Sequence, residues 1–198
     1  MFWVAVALHL FVMIAAVGGT HKNVHKSQVV LCSDYDKSMT TSDTTNFVVD
    51  EAIAAHHSPE NARKIWEELS NYYMTQREHV MKKHLNIPVD SSNNAVSMIM
   101  DFLADFAAMD LKSIQRVIQS KILEGMTIHH LKQAAQRSAS KLYSHMSSVL
   151  KRVHGAHIVS SNWSKRMILF SLEAADAVPT NLQIHGNGNR WPFIFEAF

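Results

Sequence analysis

Short apolar runs flank a long central stretch of helical periodicity in this chain of 198 residues. Apolar runs bounded by polar residues are typical of strands buried in a parallel sheet, and they occur at 28–33, 156–160 and 182–185. Between 44 and 153, apolar residues instead recur every three or four positions, which indicates amphipathic helices. The pattern predicts an α/β protein with a partial parallel sheet and a large helical insertion after the first strand.

Capping residues set the predicted limits of the helices. Ser58 and Pro59 favour a helix start. Asp110 and Thr127 are predicted N-caps, and Gly155 is predicted to end the last helix of the insertion. The predicted helices of the insertion are 44–57, 59–85, 93–109, 111–123, 128–139 and 141–153, and another at 164–175 follows the second strand.

Two aspartates, Asp34 and Asp36, follow the first predicted strand with Tyr35 between them. Residues i and i+2 of a strand point to the same side, and open α/β sheets bind ligands at the carboxyl ends of their strands. Two carboxylates that face one point repel each other unless a cation lies between them, and their oxygens suit Mg²⁺. One can then attack phosphorus while the other moves a proton. The alternative is an ordinary acidic turn after a strand.

The stretch 33–43, SDYDKSMTTSD, resembles the first motif of the haloacid dehalogenase-like hydrolases, Asp-x-Asp-x-Thr/Ser. It is most similar to the phosphatases of thiamin salvage, which occur alone or fused to thiaminase-type domains. The resemblance implies that Asp34 is the nucleophile, that Asp36 is the general acid/base and that both hold Mg²⁺. It further implies that Ser38, where the family usually has Thr, and Asp43 line the phosphate pocket.

The second apolar run ends in hydroxyl residues, Ser160 and Ser161, and is followed by Asn162-Trp163-Ser164. This run is similar to the family's second motif, which implies that Ser160 binds the transferring phosphoryl group. The helix that follows starts near Ser161, so its N–H groups suit an anion. A serine-rich helix start is the alternative. The stretch 162–164 is also an N-glycosylation sequon, and whether Asn162 is glycosylated stays open.

The family has two further motifs, a lysine and an acidic pair. Lys165 and Arg166 lie too close after Ser160 to match the lysine motif, and the acidic pair has no counterpart, since the only aspartate after Ser160 is Asp176. We therefore expect a C-terminally truncated member whose hydrolysis of a small phosphorylated metabolite is impaired. The alternative is a catalytically inactive, truncated or degenerate member that acts as a binding protein or has no independent function. The resemblance implies a partial Rossmann-like core at 28–43 and 154–198 and a helical cap at 44–153.

The N-terminal apolar run predicts a secretory signal peptide at 1–19, followed by a polar linker at 20–27. The run is short for a membrane span, which needs about 20 residues, so we expect a protein of the secretory pathway or the extracellular space with no stable span. An uncleaved membrane anchor and a mitochondrial presequence are the alternatives.

Composition excludes few other functions. A net charge of +2 gives no reason to expect a nucleic-acid partner. Cys32 is the only cysteine, so no intrachain disulfide forms. The 13 histidines show no zinc-ligand spacing. The sequence does not fix the oligomeric state.

Overall fold

The computed structural model describes residues 29–85, 92–160 and 164–186. They form two compact units, one made of the described residues up to Glu51 and from Met126 onwards, the other of those within Ala52–Gly125. The predicted signal peptide at 1–19, the linker at 20–27, Ser161 and Asn162 lie outside the described residues. The elements in chain order are β1 (Val30–Asp34), α1 (Thr45–Ala55), α2 (Pro59–Leu85), α3 (Ser92–Ser120), α4 (Ile128–Ala139), α5 (Met146–Arg152), β2 (Gly155–Ser160), α6 (Lys165–Ala174) and β3 (Leu182–Gly186).

The described sheet has three parallel strands in the order β1-β2-β3. The predicted α/β class is therefore confirmed, with each apolar run forming a strand. Parallel neighbouring strands require a crossover connection, and helices α1 to α5 form the connection between β1 and β2.

One face of the sheet is packed and the other is open to solvent among the described residues. The packed face carries Leu31, Ala156 and Ile158, which join a buried cluster with side chains of α5 and α6. Because side chains alternate along a strand, Cys32 and Asp34 of β1 point to the opposite face. Val159 on that face is 41% exposed, which is unusual for a parallel sheet.

The helical unit is built mainly on α2 packed against α3. Residue contacts between them run in opposite directions, so the two helices are antiparallel: the Asp105 carboxylate lies 2.5 Å from the Lys83 Nζ, and the Arg116 guanidinium stacks on the Tyr72 ring. Among the described helices, none combines the length and the apolar character that crossing a bilayer requires.

Two predicted helix limits are wrong. Asp110 does not cap a new helix, because α3 runs without a break from Ser92 to Ser120 and contains Asp110, which is half-buried. Gly155 does not end a helix reaching back to 141, because α5 spans only Met146–Arg152 and Gly155 begins β2. The predicted start of α4 is confirmed, since Thr127 caps it through the backbone N–H of His130.

The helical unit is shorter than the span predicted for the cap. The family resemblance implies a helical cap over 44–153. The compact helical unit of the structure is Ala52–Gly125, and α4 and α5 belong to the unit that contains the sheet. Both helices supply that unit with buried side chains, Leu131 and Ala134 from α4 and Met146 and Leu150 from α5.

Candidate functional site

The predicted site residues of the two strands lie at one edge of the sheet. Asp34 is the last residue of β1 and pairs in register with Val159, so that Ser160, the last residue of β2, is the next position along. Ser160 is buried and belongs by alternation to the packed face, whereas Asp34 belongs to the open face. A ligand that contacts both must therefore lie beyond the strand ends.

Tyr35 fixes the position of Asp34. Its side chain is fully buried, and its Oη lies 2.8 Å from the Ser138 Oγ in α4. Burial raises the pKa of the Tyr35 phenol, although its hydrogen bonds to Ser138 and Ser171 act in the opposite direction. Because Tyr35 points into the core, Asp34, the residue before it in β1, points to the other face. Asp36 lies in the turn beyond β1, where Thr44 and not strand alternation sets the position of its carboxylate.

Asp34 is a half-buried carboxylate in a negative environment. Partial burial raises its pKa, the hydrogen bond from the Tyr35 N–H to Oδ1 (2.7 Å) lowers it, and the nearby charges of Asp36 and Asp43 raise it further. The net pKa lies above the ordinary value of an aspartate. Asp36 and Asp43 are therefore both close enough to Asp34 to repel its negative charge.

Asp36 and Asp43 both bond to the start of α1. The Asp36 Oδ1 accepts hydrogen bonds from the Thr44 N–H (2.8 Å) and the Thr44 Oγ1 (2.6 Å), and the Asp43 Oδ1 accepts one from the Thr45 N–H (2.9 Å). Negative charge is favourable at a helix N-terminus. These bonds hold Asp36 in place and also give both carboxylates a structural role.

Hydrogen bonds within the loop between Asp36 and α1 stabilise that loop. Thr40 is fully buried; its Oγ1 accepts from the Lys37 N–H (3.1 Å) and donates to the Ser42 carbonyl (2.7 Å). Thr40 also bridges to Leu142. Lys37 has a positive φ of 64°, which marks the tight turn. Ser38, predicted to line the phosphate pocket, lies exposed in this turn.

A pair of histidines on the open face of the sheet was not among the predicted site residues. The His157 Nδ1 lies 3.2 Å from the His185 Nε2, with the rings 3° from parallel and their centroids 5.5 Å apart. That centroid separation matches two rings joined end to end by an N–H···N hydrogen bond. His185 lies in the same row as Asp34 and Val159. The register of the three strands brings the two histidines and Asp34 together on one face, and no local sequence pattern encodes that register.

Asp34 and Asp36 are the candidate ligands for a hard divalent cation at the strand end. Mg²⁺ is commonly held by one or two carboxylates together with water and phosphate oxygens, and Asp34 and Asp36 provide two. In the part of the chain that the structure describes, no group of three or more His, Cys, Asp or Glu could hold a metal. Burial, and to a smaller extent the charges of Asp36 and Asp43, raise the pKa of Asp34, and a bound cation would lower that pKa.

Comparison of this chain with family models, curated proteins and solved structures gives no match. Support for a function therefore comes from the residues of the site themselves.

Proposed function

We propose that the protein is a Mg²⁺-dependent phosphomonoester hydrolase of the haloacid dehalogenase-like type. The observation that carries this proposal is the half-buried Asp34 at the carboxyl end of β1, with Asp36 and Asp43 close to it: burial raises the pKa of Asp34, and the charges of Asp36 and Asp43 add to that rise. The strand order β1-β2-β3, with Ser160 ending the strand beside Asp34, supports it. The substrate is a small phosphorylated metabolite, as the resemblance of the 33–43 stretch implies.

The proposed chemistry has two steps. In the first, an Oδ of Asp34 attacks phosphorus, the bond from phosphorus to the ester oxygen breaks, and protonated Asp36 gives its proton to the departing alkoxide. In the second, Asp36 takes a proton from water, which attacks phosphorus and releases phosphate and the Asp34 carboxylate. Mg²⁺, when bound by Asp34 and Asp36, neutralises charge on the phosphoryl oxygens.

Ser160 is the proposed hydrogen-bond donor to a phosphoryl oxygen. It is buried at the end of the central strand, where it pairs with Gly186 of β3. Nearby, Ser164 caps α6 by accepting a hydrogen bond from the Met167 N–H (3.2 Å). Helix starts of this kind bind anions through the remaining N–H groups. A role for Ser161 in phosphate binding, the signal peptide at 1–19 and secretion stay predictions.

The bonds of Asp36 favour a second candidate, a degenerate member that binds phosphorylated ligands without hydrolysing them. The Asp36 Oδ1 accepts two hydrogen bonds from Thr44, and a carboxylate held in this way at a helix start needs no catalytic role to explain it. In that case phosphate and Mg²⁺ bind together but no ester is cleaved.

Hydrolysis of p-nitrophenyl phosphate by the purified full chain, with and without Mg²⁺, tests the proposal. The matched variants are Asp34→Asn and Asp50→Asn, the latter an exposed aspartate of α1 paired with Arg137. We expect Mg²⁺-dependent hydrolysis that Asp50→Asn retains and Asp34→Asn reduces to the uncatalysed rate. Hydrolysis that survives Asp34→Asn would refute the assigned nucleophile. Calorimetric binding of phosphate with Mg²⁺, without turnover, would favour the second candidate.

A further inference from the structure

Two histidines on the open face of the sheet share one hydrogen bond. The His157 Nδ1 in β2 lies 3.2 Å from the His185 Nε2 in β3, and the rings are 3° from parallel. Their centroids are 5.5 Å apart, so the two nitrogens lie between the rings, close to the line that joins the centroids. Each nitrogen therefore directs its proton or its lone pair at the other.

The strands hold the two rings in this arrangement. His185 pairs in register with Val159, two residues beyond His157 on the same face of β2. Side chains in such diagonal positions on neighbouring strands are within reach of each other when they are long or carry a ring. The next pair in the register is Ser160 with Gly186, at the carboxyl ends of both strands. The hydrogen bond therefore joins β2 to β3 beside the end of the sheet that carries Ser160.

The geometry of the histidine pair limits how many protons it can carry. A neutral imidazole has one N–H donor and one acceptor nitrogen, whereas an imidazolium has two donors. When both rings are neutral, one donates and the other accepts. When one ring is charged, the imidazolium donates to the neutral ring, and a charged donor makes the stronger bond. When both rings are charged, two N–H groups point at each other, so the bond is lost and the like charges repel.

Other titratable groups on the open face are few among the described residues. By strand alternation that face carries, besides the pair, Cys32 and Asp34 of β1 and the uncharged Gln183 of β3. Asp34 lies in the row of His185 but two strands away, about 10 Å at the usual strand spacing, so ions in the solvent screen its charge. Helices α5 and α6 pack on the opposite face, so their charged side chains do not face the pair. The first charge on the pair therefore opposes the second with little compensation from the described surroundings.

We propose that this pair is an acid-sensitive contact, which holds β3 to β2 while at most one ring is charged and opens when both rings are charged. In an unfolded chain, imidazole side chains take up protons independently and are half-protonated at about pH 6.5. Below that pH the unfolded state binds more protons than the folded state, so the free energy of unfolding falls as the pH falls. Because the hydrogen bond is exposed, acid loosens the carboxyl ends of β2 and β3 and does not unfold the sheet.

Proton uptake by the two rings tests the proposal directly. Nitrogen-15 NMR of the full chain with labelled histidine distinguishes protonated from unprotonated ring nitrogens, and His157→Ala and His185→Ala assign the signals. We expect the pair to take up its two protons in separate steps, about one pH unit or more apart. In each single variant the remaining ring should titrate in one step that lies between those two. Uptake of both protons in one step, at the pH seen in the single variants, would overturn the proposal.

A double-variant cycle measures what the contact contributes to stability. Urea denaturation compares the wild type, His157→Ala, His185→Ala and the double variant at neutral pH and at about pH 4.5, roughly two units below the usual imidazole midpoint. At neutral pH the double variant should lose less stability than the sum of the single losses, and in acid this coupling should vanish or change sign. His79→Ala, at an exposed histidine of α2, is the control, and its effect should add to that of His157→Ala at both pH values. No coupling at neutral pH, or the same coupling at both pH values, would overturn the proposal.

Amide hydrogen exchange locates the effect in the sheet. Exchange rates are expressed relative to those of an unfolded chain at the same pH, so that only the protection by structure is compared. On acidification we expect the protection of β3 to fall several-fold more than that of β1, and His185→Ala should remove this difference. Equal changes in β1 and β3, or a loss of protection in β3 that His185→Ala leaves in place, would contradict the proposal.

Discussion

The phenol of Tyr35 is hydrogen-bonded to the hydroxyl of Ser138 at 2.8 Å, and both side chains are buried. Tyr35 lies between the two candidate catalytic aspartates, and Ser138 lies near the end of α4. This hydrogen bond links the segment that contains Asp34 and Asp36 to helix α4, about a hundred residues later in the chain.

Tyr35→Phe removes this hydrogen bond while keeping the buried ring. We expect a loss of about 0.5–1.5 kcal/mol in the free energy of unfolding, the usual net value of one hydrogen bond. Ser138→Ala should cost a similar amount, and because both variants break the same bond the double variant should cost less than the sum. Urea denaturation of the three variants measures this coupling. Additive losses would show that the bond contributes nothing to stability.

Asp34→Asn should stabilise the protein at neutral pH in the absence of Mg²⁺. The pKa of Asp34 is raised in the folded state, so between its ordinary and raised values the folded state binds more protons than the unfolded state. The free energy of unfolding therefore falls as pH rises through that window. Asp34→Asn should therefore raise the free energy of unfolding fully at pH values above the raised pKa, and not at all at pH values below the ordinary pKa of an aspartate.

Thermal denaturation of the wild type and of Asp34→Asn from acid to neutral pH, with a chelator present, measures this effect. Glu67→Gln, an exposed carboxyl of α2, is the control for a general loss of negative charge. Added Mg²⁺ should raise the wild-type melting temperature more than that of Asp34→Asn. A variant less stable than the wild type at neutral pH without Mg²⁺ would contradict the electrostatic account.

Thr44→Val should disturb Asp36 without touching its carboxylate. Thr44 is fully buried, and its hydroxyl donates to the Asp36 Oδ1 at 2.6 Å. Loss of a hydrogen bond to a charged group costs about 1.5–3 kcal/mol. Thr44→Ser keeps the hydroxyl and is the matched control. We expect Thr44→Val to lower both stability and any hydrolysis, and equal effects of the two variants would show that this bond does not hold Asp36.

Gly155→Ala tests the packing of the central strand. A Cβ at Gly155 would lie 3.0 Å from the Asn181 carbonyl oxygen and 3.1 Å from the Asn181 Cβ. Backbone shifts that accommodate such overpacking lower the free energy of unfolding by about 1–3 kcal/mol. Chemical denaturation should show a loss in this range, whereas an unchanged midpoint would mean that the segment before β3 moves aside freely.

The sheet and the acidic strand end could be predicted because their signals are local. The apolar run that forms β1 ends at Asp34, and Thr127 caps α4 through residues only three positions away. Parallel pairing was predicted from the apolar runs, which are typical of strands in a parallel sheet, and the helical stretch between β1 and β2 is long enough for the crossover that such strands need.

The errors arose where contacts distant in sequence outweigh local signals. Asp110 is a favourable N-cap residue in isolation, but α3 continues through it, and Tyr73 of α2 donates a hydrogen bond to its carboxylate. Residues before α5 fit a helical pattern, but the backbone at Leu142 bridges to Thr40 instead. Neither Tyr73 nor Thr40 could be identified as a partner from spacing along the chain.

The central claim is that Asp34 accepts a phosphoryl group, and acid-quenched mass spectrometry of the full chain tests it most directly. The protein is mixed with p-nitrophenyl phosphate and Mg²⁺, quenched in acid, in which acyl phosphates survive, and digested. The account predicts that the peptide containing Asp34 gains the mass of one phosphoryl group, which hydroxylamine removes and Asp34→Asn abolishes. An unmodified Asp34 peptide during measurable turnover, or a phosphoryl group on another residue, would contradict it.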